Sequence, residues 1–553
     1  MLAQPFCTTR LEVVSLLQTR AAASNALGGD AAAGAAVRVA RKAGQAGGGG
    51  RAEGGSAAQG RTAYVWSLTL LDESGAASDT IVSDQVGSYV DVVLTAPGHS
   101  YTLTVTEQLT ATDGTTTVVA SLAATIACRY VRREIRALSQ VDRDRFLDAL
   151  AILYFNSDEE GQAKYGDQFV SYERLCAMHD DIKFCYHGGQ QFITAHWAFN
   201  MMVERSLQSI DPGVSLPYWD FMKDSDQLGS SWYMSEVFDE TMFGSAIGLP
   251  TENFKLAPSR FRGIRNVYDP SGDRVISPDF NVLRNGFGYI TSPTNEQNAT
   301  FVSRTHTFCG VTGSVALATC RDFAACFESY DSLTDFRMCM ETDIHADMHG
   351  WLGGGYNCAV DMAQFIQEVP EVSTELVTFA LTYIVANTWH NTDYFAPYTE
   401  CPSTDGCIDK SQCSCTCTLD VDSLTDDEVY AWMEEMLLAM TTIYDGADFV
   451  TASNGKLRFA QNGHLLSDAA YRPFLRALMK LGCTPGSVGA MSTGASPADP
   501  IFWVLHGIYD KDYLTNAELV TIATGDGARA LTYVYDGYDS WGTCHWDACP
   551  SCS

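Results

Sequence analysis

The sequence predicts a mainly α-helical chain preceded by a small all-β, sandwich-like module, and three changes of texture predict it. Residues 21–61 hold almost no large apolar side chain. Short alternating runs follow from Ala63, and long segments with apolar residues at helical spacing begin after Cys128. A chain of 553 residues exceeds one small core, so more than one domain is expected.

The first texture, "AAASNALGGDAAAGAAVRVARKAGQAGGGGRAEGGSAAQG", cannot bury enough apolar surface to offset the entropy of ordering, and residues 1–61 are expected to be a disordered, low-complexity segment. Residues 62–127 carry "YVWSLTLL", "SYVDVVLT", "YTLTVTEQL" and "TTTVVASLAATI" between Gly, Asp, Pro and Ser turns, the pattern of a small β-sandwich. No polar constellation lies in it, so it reads as a structural or docking module whose partner the sequence does not name. Residues 128–553 form the main domain. Ser139 is a candidate cap for the first helix, and "QFITAHWAFNMMVERSLQ", "EVSTELVTFALTYIVANTW" and "LTDDEVYAWMEEMLLAMTTIY" are helical by period.

A formal net charge of -32 argues against nucleic acid or an anionic membrane surface as partner, since both reward clustered Lys and Arg. No apolar run approaches the length of a membrane span. The 18 cysteines crowd at 309–358 and in "CPSTDGCIDKSQCSCTC" at 401–417, which favours disulfides in an oxidising, secreted or lumenal compartment over a zinc knuckle. The acceptor Asn298-Ala-Thr300 agrees with secretion, whereas "MLAQPFCTTRLEVVSLLQTR" shows no clear signal peptide.

Of the 11 histidines, His99, His306, His390, His464 and His545 sit alone among polar or turn residues and read as structural. His345 and His349 in "DIHADMHGWLGG" have the i, i+4 spacing that places two imidazoles on one helix face. A zinc peptidase would need Glu after the first of them, and position 346 is Ala. His179, His187 and His196 fall within 18 residues, two on helical segments and one on the loop between, and can converge on an ion or simply be solvated or packed. In "SPADPIFWVLHGIYD", Asp499 can cap a helix with Pro500 at its first position, which anchors His506. Imidazole-only sites suit copper, zinc or iron, and two sets of three suggest a pair of ions.

With these residues in hand the sequence resembles the type-3 copper proteins: tyrosinases, catechol oxidases and haemocyanins. The resemblance covers about residues 128–230, 335–360 and 490–540. It is carried by "HGGQQFITAHWAFNMMVE", by "HADMHGWLGG", by "DPIFWVLHGIYD", and by the structural matches "LPYWDF" and "YVY". It implies a type-3 copper four-helix-bundle catalytic domain with long loops. His179, His187 and His196 would bind the first copper ion, and His345, His349 and His506 the second. Dioxygen would be co-substrate, a small phenol the substrate, and an o-diphenol would leave as o-quinone, with monophenol hydroxylation as a further capacity. A thioether from Cys185 to His187 is implied by the Cys-x-His spacing, an ordinary disulfide being the alternative.

Several positions depart from the family pattern. Trp197 stands for the usual Arg, Ile193-Thr194-Ala195 for Leu-Pro-Trp, and Leu505 for one of two adjacent histidines. Ala346 replaces the Asn that in hydroxylating members works with an acid, for which Glu341 is the candidate here, so catechol oxidation is expected to be favoured. Asp510 is a candidate outer acid or a plain structural one. The wide gap from His349 to His506 implies a cysteine-rich helical insertion at about 357–490. A dioxygen-binding, haemocyanin-like or latent protein is the alternative, and a bundle that has lost its chemistry a more distant one.

Overall fold

The alternating runs of the early chain become strands because every second side chain is apolar and can face one interior. They do so in a computed structural model that describes residues 2–14, 36–41, 61–72, 74–180, 186–187, 189–252, 254–264, 301–312, 317–329, 332–387, 399–400, 416–443, 449–484, 486–492, 496–515 and 532–536. The chain divides into two compact units, Met1–Arg133 with Asp211–Ser215 and Tyr513–Ser540, and Glu134–Ile210 with Leu216–Asp512 and Trp541–Ser553.

In the first unit, strands β1 (Leu2–Ala3), β2 (Thr8–Val14), β3 (Ala36–Arg41), β4 (Arg61–Leu71), β5 (Ala77–Val86), β6 (Tyr89–Val93), β7 (Ser100–Thr110) and β8 (Thr116–Cys128) form two sheets, ordered β1-β8-β7-β4-β5 and β3-β2-β6. Both sheets give side chains to one buried cluster, with Leu11, Val90 and Val92 from one and Trp66, Leu68, Tyr101, Leu103 and Ile126 from the other. The Trp66 indole N–H donates to the Gly87 carbonyl at 2.7 Å, which lets that ring be buried whole.

The N-terminal segment departs from expectation. Leu2–Ala3, Thr8–Val14 and Ala36–Arg41 are strands with defined partners, not part of a disordered tail, while 15–35 and 42–60 lie outside the described residues. The physical reason is the alternation in "TTRLEVV": Thr9 and Leu11 face inward, and Arg10 faces out to hold Asp91 with two hydrogen bonds of 2.8 and 2.9 Å. Later in this unit Tyr130–Arg132 pairs in parallel with Tyr533–Tyr535, and the Arg132 guanidinium lies 3.5 Å from the Tyr533 ring centroid. The "YVY" motif is thus one side of a strand pair.

The second unit is mainly helical. It contains α1 (Gln140–Phe155), α2 (Asp158–Tyr165), α3 (Tyr172–Asp180), α4 (Phe192–Ile210), α5 (Phe221–Leu228), α6 (Cys320–Ser329), α7 (Leu333–Cys339), α8 (Asp347–Gly353), α9 (Met362–Glu368), α10 (Thr374–Asn387), α11 (Asp426–Ile443), α12 (Asp468–Cys483) and α13 (Ile501–Thr515). Ser139 caps α1 as expected, its hydroxyl accepting from the Asp142 N–H. Among the described residues, disulfides join Cys309 to Cys358, Cys326 to Cys339 and Cys417 to Cys483. No helix among them is long and apolar enough to cross a membrane.

The 357–490 region is not helical throughout. Between α11 and α12, Val450–Ser453, Lys456–Gln461 and His464–Leu465 form a three-stranded antiparallel meander. Both of its turns are Asn-Gly pairs with positive φ at each residue, Asn454 and Gly455 (53° and 76°) and Asn462 and Gly463 (52° and 75°), the backbone that two-residue hairpins require.

One glycine closes the helix that carries His349. Gly354 ends α8 at φ +61°, and an added Cβ would lie 2.0 Å from the Thr305 carbonyl oxygen. Gly354→Ala is expected to cost about 2–3 kcal/mol, from strain and overpacking together, read as a lower denaturant midpoint.

Candidate metal centre

Each of the six histidines singled out in the sequence is placed by a helix or a helix-flanking turn of the second unit. His179 lies in the last turn of α3, His196 one turn into α4, and His187 on the connection between them. His345 sits in a π-helical turn, Met340–Ala346, that runs directly into α8 and His349. Wider π turns inside helices often mark functional sites because they re-aim one side chain. His506 lies in α13, whose start is fixed by Asp499: its Oδ1 accepts from the Ile501 N–H at 3.1 Å.

The rings converge as two adjoining trios. Ligand nitrogens of His179, His187 and His196 lie within 4.8 Å of one another, as do those of His196, His345 and His506. His349 faces His506 with the two Nε2 atoms 3.4 Å apart, and His345 Nε2 is 3.1 Å from that same nitrogen. His179 and His196 face each other likewise at 3.4 Å. The two trios share His196, whose ring stacks on that of His506 at 5.0 Å.

Tautomers turn this geometry into a test of metal fit. The Nδ1 of His196 is 2.7 Å from the Phe192 carbonyl, that of His349 2.7 Å from the Met491 carbonyl, and that of His506 2.8 Å from the Phe502 carbonyl. A carbonyl only accepts, so each Nδ1 carries the proton and each Nε2 offers a lone pair. Two such lone pairs facing each other, as in His349 and His506, repel unless a cation lies between them. Nitrogens bound at about 2.0–2.1 Å around a tetrahedral ion stand roughly 3.3 Å apart, close to the spacing here.

Burial enforces the same state. It lowers His196 and His349 to about 4 and holds His345 and His506 well below the usual imidazole range. Neutral imidazoles at pH 7 are what a metal ion requires. The wall is aromatic: Phe502 stacks on His506 at 3.8 Å, and Phe192 packs on His196 and His345 at 4.8 and 4.9 Å. His179, His196, His345 and His506 are buried, His349 is half-buried, and His187 is exposed.

Other candidates fall into place differently. Glu341 is buried and ion-paired to Arg337, one helical turn earlier. Asp510 accepts from the Asn200 amide at 3.0 Å, tying the helix of His196 to the helix of His506. Cys185 lies outside the described residues, as do His390 and His545. His99 and His464 are exposed, and His306 packs on Tyr233 at 4.4 Å.

Two residues were not foreseen. Asn200 is one turn beyond His196 on the same helix, a spacing that could have flagged it. Arg304 carries no local signal, yet it is fully buried, forks onto both oxygens of Asp499, and donates to the Phe243 and Gly244 carbonyls at 3.0 Å each.

Comparison with known proteins agrees with this site. Residues 165–367 match the common central domain of tyrosinase. The chain is 32% identical over 104 residues to a tyrosinase of Streptomyces lincolnensis, a match covering 18% of this chain and 35% of that protein. It is 31% identical over 104 residues to a tyrosinase of Streptomyces antibioticus, covering 18% and 36%. To the tyrosinase-like protein 2 of Margaritifera margaritifera it is 26% identical over 119 residues, covering 21% and 24%. The chain thus spans about a third or less of the length of these relatives. Across residues 165–367, the stretch that holds five of the six histidines, the chain is thus similar to the tyrosinase central domain.

Proposed function

We propose that the chain is a copper-dependent phenol oxidase that converts o-diphenols to o-quinones with dioxygen, through two copper ions held by His179, His187 and His196 and by His345, His349 and His506. The observation that carries this reading is the facing of two Nε2 lone pairs at 3.4 Å by His349 and His506, whose Nδ1 protons are both committed to carbonyls. Bound copper supplies the two-electron redox chemistry with dioxygen.

The chain's own part is to hold and to exclude. Carbonyl-anchored imidazoles keep their orientation without reorganising, and the Phe192 and Phe502 rings keep water from the inner side. The exposed His187 marks the open side, from which a phenol ring can approach. Ala346 is exposed on the turn of His345 and offers no amide to orient a proton-accepting water. Glu341 would have to leave Arg337 to serve as that acceptor. Both features favour o-diphenols, which give up their protons more readily than monophenols.

In this reading the histidine-bearing helices form the family's bundle, the two early sheets form a sandwich module, and the disulfides fit a secreted or lumenal protein. The test is copper content with parallel assays on 4-methylcatechol and tyramine. Two copper ions per chain and quinone from the catechol are expected, with tyramine turned over at least about tenfold more slowly, the loss expected for one missing proton-transfer partner. Two copper ions without quinone would move the reading to a dioxygen-binding protein, and no copper uptake would end it.

A further inference from the structure

Helix α13 shows different residues to its two sides. Measured around the axis from His506, Phe502 and Tyr509 lie within about 60°, whereas Val504, Gly507 and Lys511 lie at about 100–160°. The first side carries the metal-facing ring. The second is gripped by the segment "LPYWDF", residues 216–221.

The grip has three points. The Trp219 N–H donates to the Val504 carbonyl at 2.8 Å. A methyl on Gly507 would lie 2.8 Å from Tyr218 Cβ, so helix and segment touch backbone to backbone. Lys511 Nζ donates to the Tyr218 hydroxyl at 2.7 Å and lies 4.5 Å from the centroid of that ring. The segment is itself anchored: the Ile135 N–H donates to the Tyr218 carbonyl at 2.9 Å, and the Leu216 N–H to Glu204 Oε1 at 2.8 Å, Glu204 being on the helix of His196.

Lys511 is 2% exposed, and its hydrogen-bond partner among the described residues is a neutral phenol. Stability does not explain that choice, because an apolar chain of the same length would avoid the desolvation of an ammonium. Geometry does. A side-chain tip about 6 Å from a helix axis moves roughly 1 Å for a 10° rotation, and ligand sites tolerate about 0.5 Å.

We propose that Tyr218 and Lys511 are positioning residues that lock the rotation of α13 and so set the place of His506 Nε2 for the second metal ion. The proposal rests on the copper reading of the site for its binding arm, and on the apoprotein alone for its structural arm.

The test uses the full chain with Lys511→Met, Lys511→Arg and Tyr218→Phe. Chelator-stripped protein is titrated with copper, its thermal midpoint is recorded, and the apoprotein of each variant is crystallised. The second copper equivalent is expected to bind about tenfold or more weakly in Lys511→Met and Tyr218→Phe, with the first unchanged and Lys511→Arg restoring most of the loss. The thermal midpoint of the apoprotein is expected to hold or rise. Unchanged binding of the second equivalent, equal weakening at both steps, or no rescue by Arg overturns the proposal. If Lys511→Met does not fold, Tyr218→Phe decides, since it removes a single oxygen. If the parent chain takes up no copper, the metal reading falls alone and the crystals decide: His506 Nε2 displaced by about 1 Å from its place beside His345 supports positioning, and an unmoved ring overturns it.

Discussion

Arg304→Met is expected to lower the stability of the helical unit by about 3–5 kcal/mol, the usual cost of breaking one partner out of a buried ion pair. Arg304 and Asp499 are both fully buried, and the guanidinium also satisfies the Phe243 and Gly244 carbonyls. Methionine fills the volume but leaves a buried carboxylate without its counter-charge and two carbonyls without their donor. The damage reaches the site because Asp499 also accepts from the Ile501 N–H at the start of the His506 helix. Pairing the change with Asp499→Leu should recover much of the loss, since removing both charges is far less costly than removing one, although the helix cap is not replaced. Urea melts of the single and double variants, followed by a helical signal, decide the matter. Equal midpoints for parent and Arg304→Met would show that the pair is not coupled to folding.

Acidification is expected to destabilise the apoprotein steeply. The buried imidazoles have folded-state pKa values below that of an unfolded chain, about 6.5, so the unfolded state binds more protons as pH falls. Their contribution is therefore complete above about pH 6.5 and is lost progressively on the way to pH 4. His196 and His349, each lowered to about 4, account for roughly 3 kcal/mol apiece across that window, and His345 and His506 act in the same direction. A denaturant midpoint in chelator that falls sharply between pH 7 and pH 5 is the expected result. Adding copper should move the fall to lower pH, because an ion bound only by the folded state opposes protonation of its ligands. A flat profile in chelator would mean that these rings are solvated in the apoprotein.

Much of the site could be read from the chain because ligand chemistry is local. The i, i+4 pair His345 and His349, the run from His179 to His196, and the Asp-Pro start ahead of His506 each use a few neighbouring residues. The β runs and helices of the main elements were legible for the same reason, since hydrophobic period is a short-range signal. Two errors came from local signals that the Ala- and Gly-rich tail and the cysteine clusters overshadowed. "TTRLEVV" alternates well enough to pair with β6, and both Asn-Gly pairs at 454–455 and 462–463 mark hairpins inside a region read as helical.

What the sequence determined by itself was the inventory: strand and helix periods, the caps and the candidate histidines. What only the tertiary structure decided was which groups face each other across long separations. Arg304 meets Asp499 and Lys511 meets Tyr218 across 195 and 293 residues, and the Nε2 atoms of His345 and His506 meet across 161. No short-range pattern encodes such pairs. They arise when packing of apolar faces fixes helix rotation, and the same packing, by removing water, keeps the facing imidazoles neutral.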